Sequence, residues 1–306
     1  MGSLIALGEC MVELSPAGEG LYRRGFAGDT FNTAWYARRL LPPDWTVAYG
    51  TCVGTDALSD QMLAFMAGEG IDTAAVRRLP DRTVGLYMIS LTAGERSFSY
   101  WRGQSAARAL ADDPDALEAA LRNRDFIHFS GISLAILTPS ARDRLCAAIA
   151  QARAAGARVV FDTNLRPRLW EGEAAMRAGL TLGAAVADIV LPSFDEEAAL
   201  FGDTNPDETL ARYRALGAGL VVVKQGAGPV MIWDRDAGRA EFTPKPVARV
   251  LDTTAAGDSF AAGLIAGLAC GMAVDTAARA GIRLAAQVIQ APGALVPGIF
   301  GQAARG

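Results

Sequence analysis

Apolar residues follow two rhythms along this chain. Short continuous apolar runs at residues 4–8, 47–53, 125–131, 158–162, 189–191 and 219–224 read as strands buried on both faces. Patterns with helical spacing lie between them, at about 57–69, 113–122, 139–155, 173–182, 207–216 and 276–289. A further helix runs from Asp29 or Thr30, taken as its cap, to about Leu41, where Pro42 and Pro43 stop it. Another follows Asp258 or Ser259, with Phe260, Leu264 and Leu268 four apart. Strand–helix alternation of this kind predicts a parallel sheet with crossover helices.

The rhythm breaks at residues 83–101, where two strand-like runs flank Thr92-Ala93-Gly94-Glu95 as a hairpin. Together with residues 21–26 they suggest a small separate sheet, a lid that excludes water. Its aromatic-rich strands could equally form a dimer interface, on the opposite face. Residues 230–233 and 239–243 read as antiparallel strands at one edge. Gly263, Gly267 and Gly271 recur every four residues, a spacing read as close helix packing, and the Gly- and Pro-containing tail from 292 to 306 reads as irregular.

Length and composition narrow the function. The 306 residues suffice for one large α/β domain or two smaller ones, and a 51% hydrophobic content supplies a sizeable core. A net charge of −4 with no long Lys/Arg run argues against a nucleic-acid surface. Cys10, Cys52, Cys146 and Cys270 are far apart and form no C-x-x-C pair, so neither a zinc site nor a redox motif is visible. A reduced, cytoplasmic setting is expected. No signal pattern precedes Leu4 and no apolar run is long enough to span a bilayer, so no membrane partner is expected. His128, the single histidine, sits in an apolar strand and reads as structural, and it excludes a multi-histidine metal site. Neither a G-x-S-x-G elbow nor a P-loop motif occurs.

Polar residues that interrupt the apolar runs mark the candidate chemistry. Glu9 follows the first strand, at the end where α/β sheets collect ligands. Gly28 permits close backbone approach, and Asn32 falls in the first turn of the next helix, where an amide can reach a ligand. Tyr87, Tyr100 and Arg102 lie on the lid as substrate candidates. Asn164, Arg166 and Arg168 leave the strand ending at Asp162, and an arginine there can bind a carboxylate or phosphate with two hydrogen bonds. Asp195, Glu196 and Glu197 suit a helix start and could orient a Mg²⁺ shell through water. Gly226 and Gly228 follow the strand at 219–224 and would let a flat nucleotide approach the backbone. The run Asp252-Thr253-Thr254-Ala255-Ala256-Gly257-Asp258 combines small residues, a helix start and a carboxylate: an anion cradle beside a base, the parts of phosphoryl transfer.

These features together resemble the ribokinase-like (PfkB) carbohydrate kinases over about residues 3–297. The run ending at Asp258 matches that family's C-terminal signature D-T-x-G-A-G-D. Within the family, the stretches 162–170, 192–196 and 100–102 look most like 2-keto-3-deoxygluconate kinases. The resemblance implies a ribokinase-like three-layer α/β sandwich with a mostly parallel central sheet. It implies a single domain over 1–306, with lid strands inserted at about 10–26 and 83–102. It assigns Asp258 as the base, and the backbone of Ala255, Ala256 and Gly257 as the anion hole. Gly28, Asp29, Asn32, Tyr87, Tyr100, Arg102, Asn164 and Arg166 would surround a sugar acid, with the arginines nearest its carboxylate. Ser193, Lys224, Gly226 and Gly228 would line the ATP site, with Glu196 associated with Mg²⁺ indirectly. A K⁺ requirement stays open, and a dimer through the lid is expected.

The chain departs from the family pattern at three places. Ala27 replaces the first residue of a Gly-Gly pair, Ser193 stands where the wider family has Asn, and Ala255 replaces the first glycine of G-A-G-D. The Ala255 methyl disfavours φ > 0 there, which makes the anion hole the first geometry to compare with the family pattern. Asp258 is expected to stay ionised, its charge favoured by the helix dipole. A fructose, ribose or nucleoside kinase, or a non-catalytic sugar- or nucleotide-binding regulator on the same fold, are the alternatives.

Overall fold

A computed structural model describes residues 2–92 and 95–301. Its strands are β1 (Ser3–Leu7), β2 (Met11–Gly18), β3 (Leu21–Ala27), β4 (Thr46–Val53), β5 (Val76–Arg78), β6 (Leu86–Thr92), β7 (Glu95–Trp101), β8 (Phe126–Ser130), β9 (Arg158–Asp162), β10 (Ile189–Val190), β11 (Leu220–Val223), β12 (Val230–Asp234) and β13 (Gly238–Phe242). The helices are α1 (Asp29–Leu40), α2 (Ala57–Gly68), α3 (Pro114–Leu121), α4 (Gly131–Ala135), α5 (Pro139–Ala154), α6 (Glu173–Ala185), α7 (Phe194–Phe201), α8 (Pro206–Ala215), α9 (Ala256–Ala269) and α10 (Val274–Val288).

The large sheet runs β13-β12-β11-β10-β9-β8-β1-β4-β5. Every pairing from β11 to β5 is parallel, and β12 and β13 add an antiparallel edge. The continuous apolar strands are explained by cover on both faces. Along β1, Leu4 and Ala6 join one core with Phe31, Met62, Phe260, Leu264 and Leu284, from α1, α2, α9 and α10. Ile5 and Leu7 point the other way, into a second core with Leu117, Leu145, Leu180 and Leu210, from α3, α5, α6 and α8. The result is a three-layer α/β sandwich. The smaller sheet, β3-β2-β6-β7, contains one parallel pairing, β2 with β6, between two antiparallel ones.

Several local expectations change. The N-cap positions of α1 and α9 are Gly28 and Ala255, neither with a side-chain cap, so Asp29, Thr30, Asp258 and Ser259 all lie inside the first turns, with their side chains turned to other partners. Gly263 and Gly267 do pack closely: a Cβ on Gly263 would stand 2.6 Å from Cα of Gly281, and one on Gly267 2.8 Å from Cβ of Ala277. Gly271 does not pack, since nothing lies within 4 Å of a Cβ there; it ends α9 in the left-handed region at φ +77. The short β5 and α4 carried too few residues to show a period. The tail is less irregular than expected: Pro297–Phe300 forms a 3₁₀ turn, and Tyr36 donates its hydroxyl proton to the carbonyl of Ala294 at 2.7 Å. Residues 93 and 94 of the hairpin connection and 302–306 of the tail lie outside the described residues.

Candidate active site

The carboxyl ends of the central strands β1, β8 and β9 meet the first turns of α1 and α9. Gly28 makes this approach possible, because a Cβ there would stand 2.1 Å from the carbonyl oxygen of Glu9. The Gly28 N–H donates to Oδ1 of Asn32 at 3.3 Å, which fixes the amide so that its Nδ2 donates to Oδ2 of Asp258 at 2.8 Å. Thr33 adds a hydroxyl bond to the Asp258 carbonyl at 3.2 Å, tying α1 to α9.

Asp258 is buried, and burial pushes its carboxyl well above the usual carboxylate range. The like charge of Asp29 pushes the same way, as does Asp162, while the Asn32 hydrogen bond and Lys224 pull back. These influences oppose the helix dipole that was expected to favour its charged form. Desolvation and two neighbouring acids outweigh a dipole effect of about 0.3–1 kcal/mol.

A second set of contacts runs beside the first. Asp29 Oδ2 accepts from the Ser130 hydroxyl at 2.5 Å and from Asn164 Nδ2 at 2.9 Å, joining α1 to the ends of β8 and β9. Asn164 sits at φ +31, a conformation asparagine tolerates better than most residues, and its N–H donates to Oδ1 of Asp162 at 3.3 Å. Lys224 Nζ lies 3.0 Å from both Asp162 oxygens. The Lys224 backbone is held by Pro192 and Phe194, each through a 2.8 Å hydrogen bond, with Ser193 opposite it in a parallel bridge. A Cβ on Gly257 would stand 3.6 Å from Lys224 Nζ, so the start of α9 faces this cation. The Ala256 N–H is taken by the Thr253 carbonyl at 3.1 Å, which commits one of the expected cradle amides to a turn. The Ala255 methyl causes no distortion: its residue has φ −111 and is buried in the apolar core, so glycine is not required.

The remaining predicted residues stand apart from this cluster or already have partners. Tyr87 is buried with its hydroxyl on Glu13, and its ring packs on Phe98 and Tyr100 at 6.2 and 6.0 Å. Tyr100 is exposed. Arg102 pairs with Glu9, and Arg166 pairs with Glu196 at 3.0 Å, so both arginines expected to be nearest a substrate carboxylate face a carboxylate of this chain. Glu196 also accepts from the Leu165 N–H at 3.1 Å. Each of its oxygens thus has one partner within the chain and keeps a lone pair free to meet a magnesium ion or the water around one. Among the described residues no group of three or more His, Cys, Asp or Glu forms a metal cage. Gly226 turns the chain at φ +57 and Gly228 closes that turn on the Gln225 carbonyl at 2.8 Å. His128 is buried, and desolvation lowers its pKa, so it stays neutral within β8. Asp162, Ser130 and Thr33 carry contacts to which the sequence reading gave no role; of these only Asp162 had a signal, as the last residue of a buried strand.

The model of the pfkB family of carbohydrate kinases matches residues 1–298 of the chain. The 2-dehydro-3-deoxygluconokinase of Dickeya dadantii (strain 3937) is 41% identical over 301 residues, covering 96% of this chain and 97% of that protein. The 2-dehydro-3-deoxygluconokinase of Escherichia coli (strain K12) is 40% identical over 300 residues, with 96% and 97% covered. Among solved structures, the PfkB protein from Polaromonas sp. JS666 superimposes with a TM-score of 0.83 at 32% identity, covering 95% of this chain and 96% of that one.

Proposed function

This chain belongs to the pfkB family of carbohydrate kinases, and we propose that it transfers the γ-phosphoryl group of ATP to the terminal hydroxyl of 2-keto-3-deoxygluconate, giving the 6-phosphate. It is a phosphotransferase with an alcohol group as acceptor. The observation that carries the chemistry is the buried Asp258 carboxyl, fixed by Asn32 at the start of a helix that faces Lys224.

In this reading Asp258 accepts the proton of the attacking hydroxyl. Its raised pKa makes it a better base than an exposed carboxylate, and burial keeps competing water away. Asn32 aims the accepting oxygen, while Asp29 and Asn164 orient the sugar hydroxyls. Arg102 and Arg166 meet the sugar carboxylate, each with a glutamate behind it. Gly28 and Tyr87 shape the sugar pocket, and Tyr100 stands at its lid. The α9 start and Lys224 balance charge on the transferring phosphoryl group. Ser193, Gly226 and Gly228 border the nucleotide. Magnesium, bound with ATP, would neutralise phosphate charge, with Glu196 reaching its water shell. The chain acts as one domain in the cytoplasm, with the small sheet as its lid. It forms a dimer through that sheet, whose exposed apolar residues include Leu21, Tyr22, Leu91 and Trp101. A dependence on K⁺ is read in the same assay by exchanging the salt.

ADP release measured with 2-keto-3-deoxygluconate, fructose, ribose and adenosine tests the reading. The sugar acid should give the highest kcat/KM, and Asp258→Asn should fold normally and lose about 10²–10⁴-fold in kcat. The glutamates paired with Arg102 and Arg166 favour one other outcome, a neutral sugar, because each pair carries no net charge. Fructose turned over better than the acid would establish that alternative. Binding without ADP formation would make the chain a regulator.

A further inference from the structure

Glu9 is wholly buried, yet it lies where the body and the lid exchange chain. Residues 8–10 pass from β1 to β2. The return, at Gly28, packs on the Glu9 carbonyl. The next crossing, at Gly85, leaves 2.6 Å between a built Cβ and Oε1 of Glu9, and its carbonyl accepts from the Val12 N–H at 2.8 Å. The last crossing, after β7, carries Arg102, whose Nη2 meets Oε2 of Glu9. The pair is excluded from water, with the Arg102 side chain 9% exposed and that of Glu9 0%. It is also under-satisfied. Arg102 Nε and Glu9 Oε1 are buried without a hydrogen-bond partner, and the Nη2–Oε2 contact is an ion pair without hydrogen-bond geometry. Stability alone gives little reason to keep such a pair, since burying two incompletely bonded charges often costs more than their attraction returns.

We infer that Glu9 is the positioning residue for Arg102: it holds the guanidinium at the lid–body junction with donors to spare for the carboxylate of a sugar acid. The inference rests on the sugar-acid reading given above. A guanidinium has five N–H donors in a rigid fork, so one edge can be held by Glu9 while another takes a substrate carboxylate. Without Glu9 the arginine would be an unpaired buried charge, free to swing toward water. The acid would then bind to an arginine that must first be ordered.

The test uses Glu9→Gln, which keeps shape and removes charge, and Glu9→Asp, which keeps the charge and draws it back from Arg102. Each is assayed with 2-keto-3-deoxygluconate and with fructose, after circular dichroism and thermal melting confirm folding. In both variants KM for the acid should rise about 10-fold, with kcat within about twofold and KM for ATP unchanged. The kcat/KM for fructose should hold, so the acid-to-fructose ratio should fall about 10-fold. A purely structural role would move kcat, both sugars and ATP together, and that pattern overturns the inference. So does a ratio that stays at the wild-type value in either variant that folds. Should Glu9→Gln not fold, Glu9→Asp decides alone. A wild type with no preference for the acid overturns the sugar-acid reading, and the inference with it.

Discussion

At the scale of single residues, Asp258 balances opposing influences, and its neighbours predict how activity depends on pH. A base works only when unprotonated, so turnover should fall as pH drops through the raised pKa of Asp258. Asp29 contributes to that rise through its negative charge. Asp29→Asn should therefore make ionisation of Asp258 easier and move the acid limb of the kcat profile to lower pH. A limb that stays in place, or moves up, would show that Asp29 does not act on Asp258 through charge. The position of Asp258 at a helix start was legible in the sequence, because small residues before an apolar period mark one. Its protonation behaviour was not: burial and the approach of Asp29 and Asp162 come from three distant segments. The same reason hid the partners of both arginines. Glu9 and Glu196 were visible as carboxylates after a strand and before a helix, but nothing local showed which cation each would meet.

Among elements, the apolar rhythm carried most of the fold. Strands covered on both faces and helices with one apolar stripe follow directly from residue spacing, and the antiparallel edge of β12 and β13 was read from alternation with turn residues. The short β5 and α4 exist through their neighbours and leave no period to read. The α9–α10 contact shows how small residues set packing. A Cβ on Gly263 would meet Gly281 at 2.6 Å from Cα and 2.9 Å from N, backbone atoms that cannot rotate away. Gly263→Ala should separate the helices and destabilise the fold by about 1–3 kcal/mol. The effect would be read as a lower urea midpoint at unchanged m-value. An unchanged midpoint would mean that the contact relaxes freely. Because α9 carries Asp258, the same variant should disturb the Asn32–Asp258 bond.

For the whole molecule, the small sheet leaves Leu21, Leu91 and Trp101 each more than half exposed. Sedimentation should give twice the monomer mass, and Leu21→Glu with Trp101→Glu should return it to the monomer. A wild-type monomer at micromolar concentration would remove the dimer. The Asn32–Asp258 hydrogen bond joins positions 226 residues apart. A ribosome therefore completes the strands β1 to β11 and their helices well before the base and its amide can meet. Until α9 has emerged and docked on α1, the nascent chain can own most of its core while being unable to consume ATP. The onset of catalysis during synthesis would thus report docking of α9, a late event, and would lag behind collapse of the sheet.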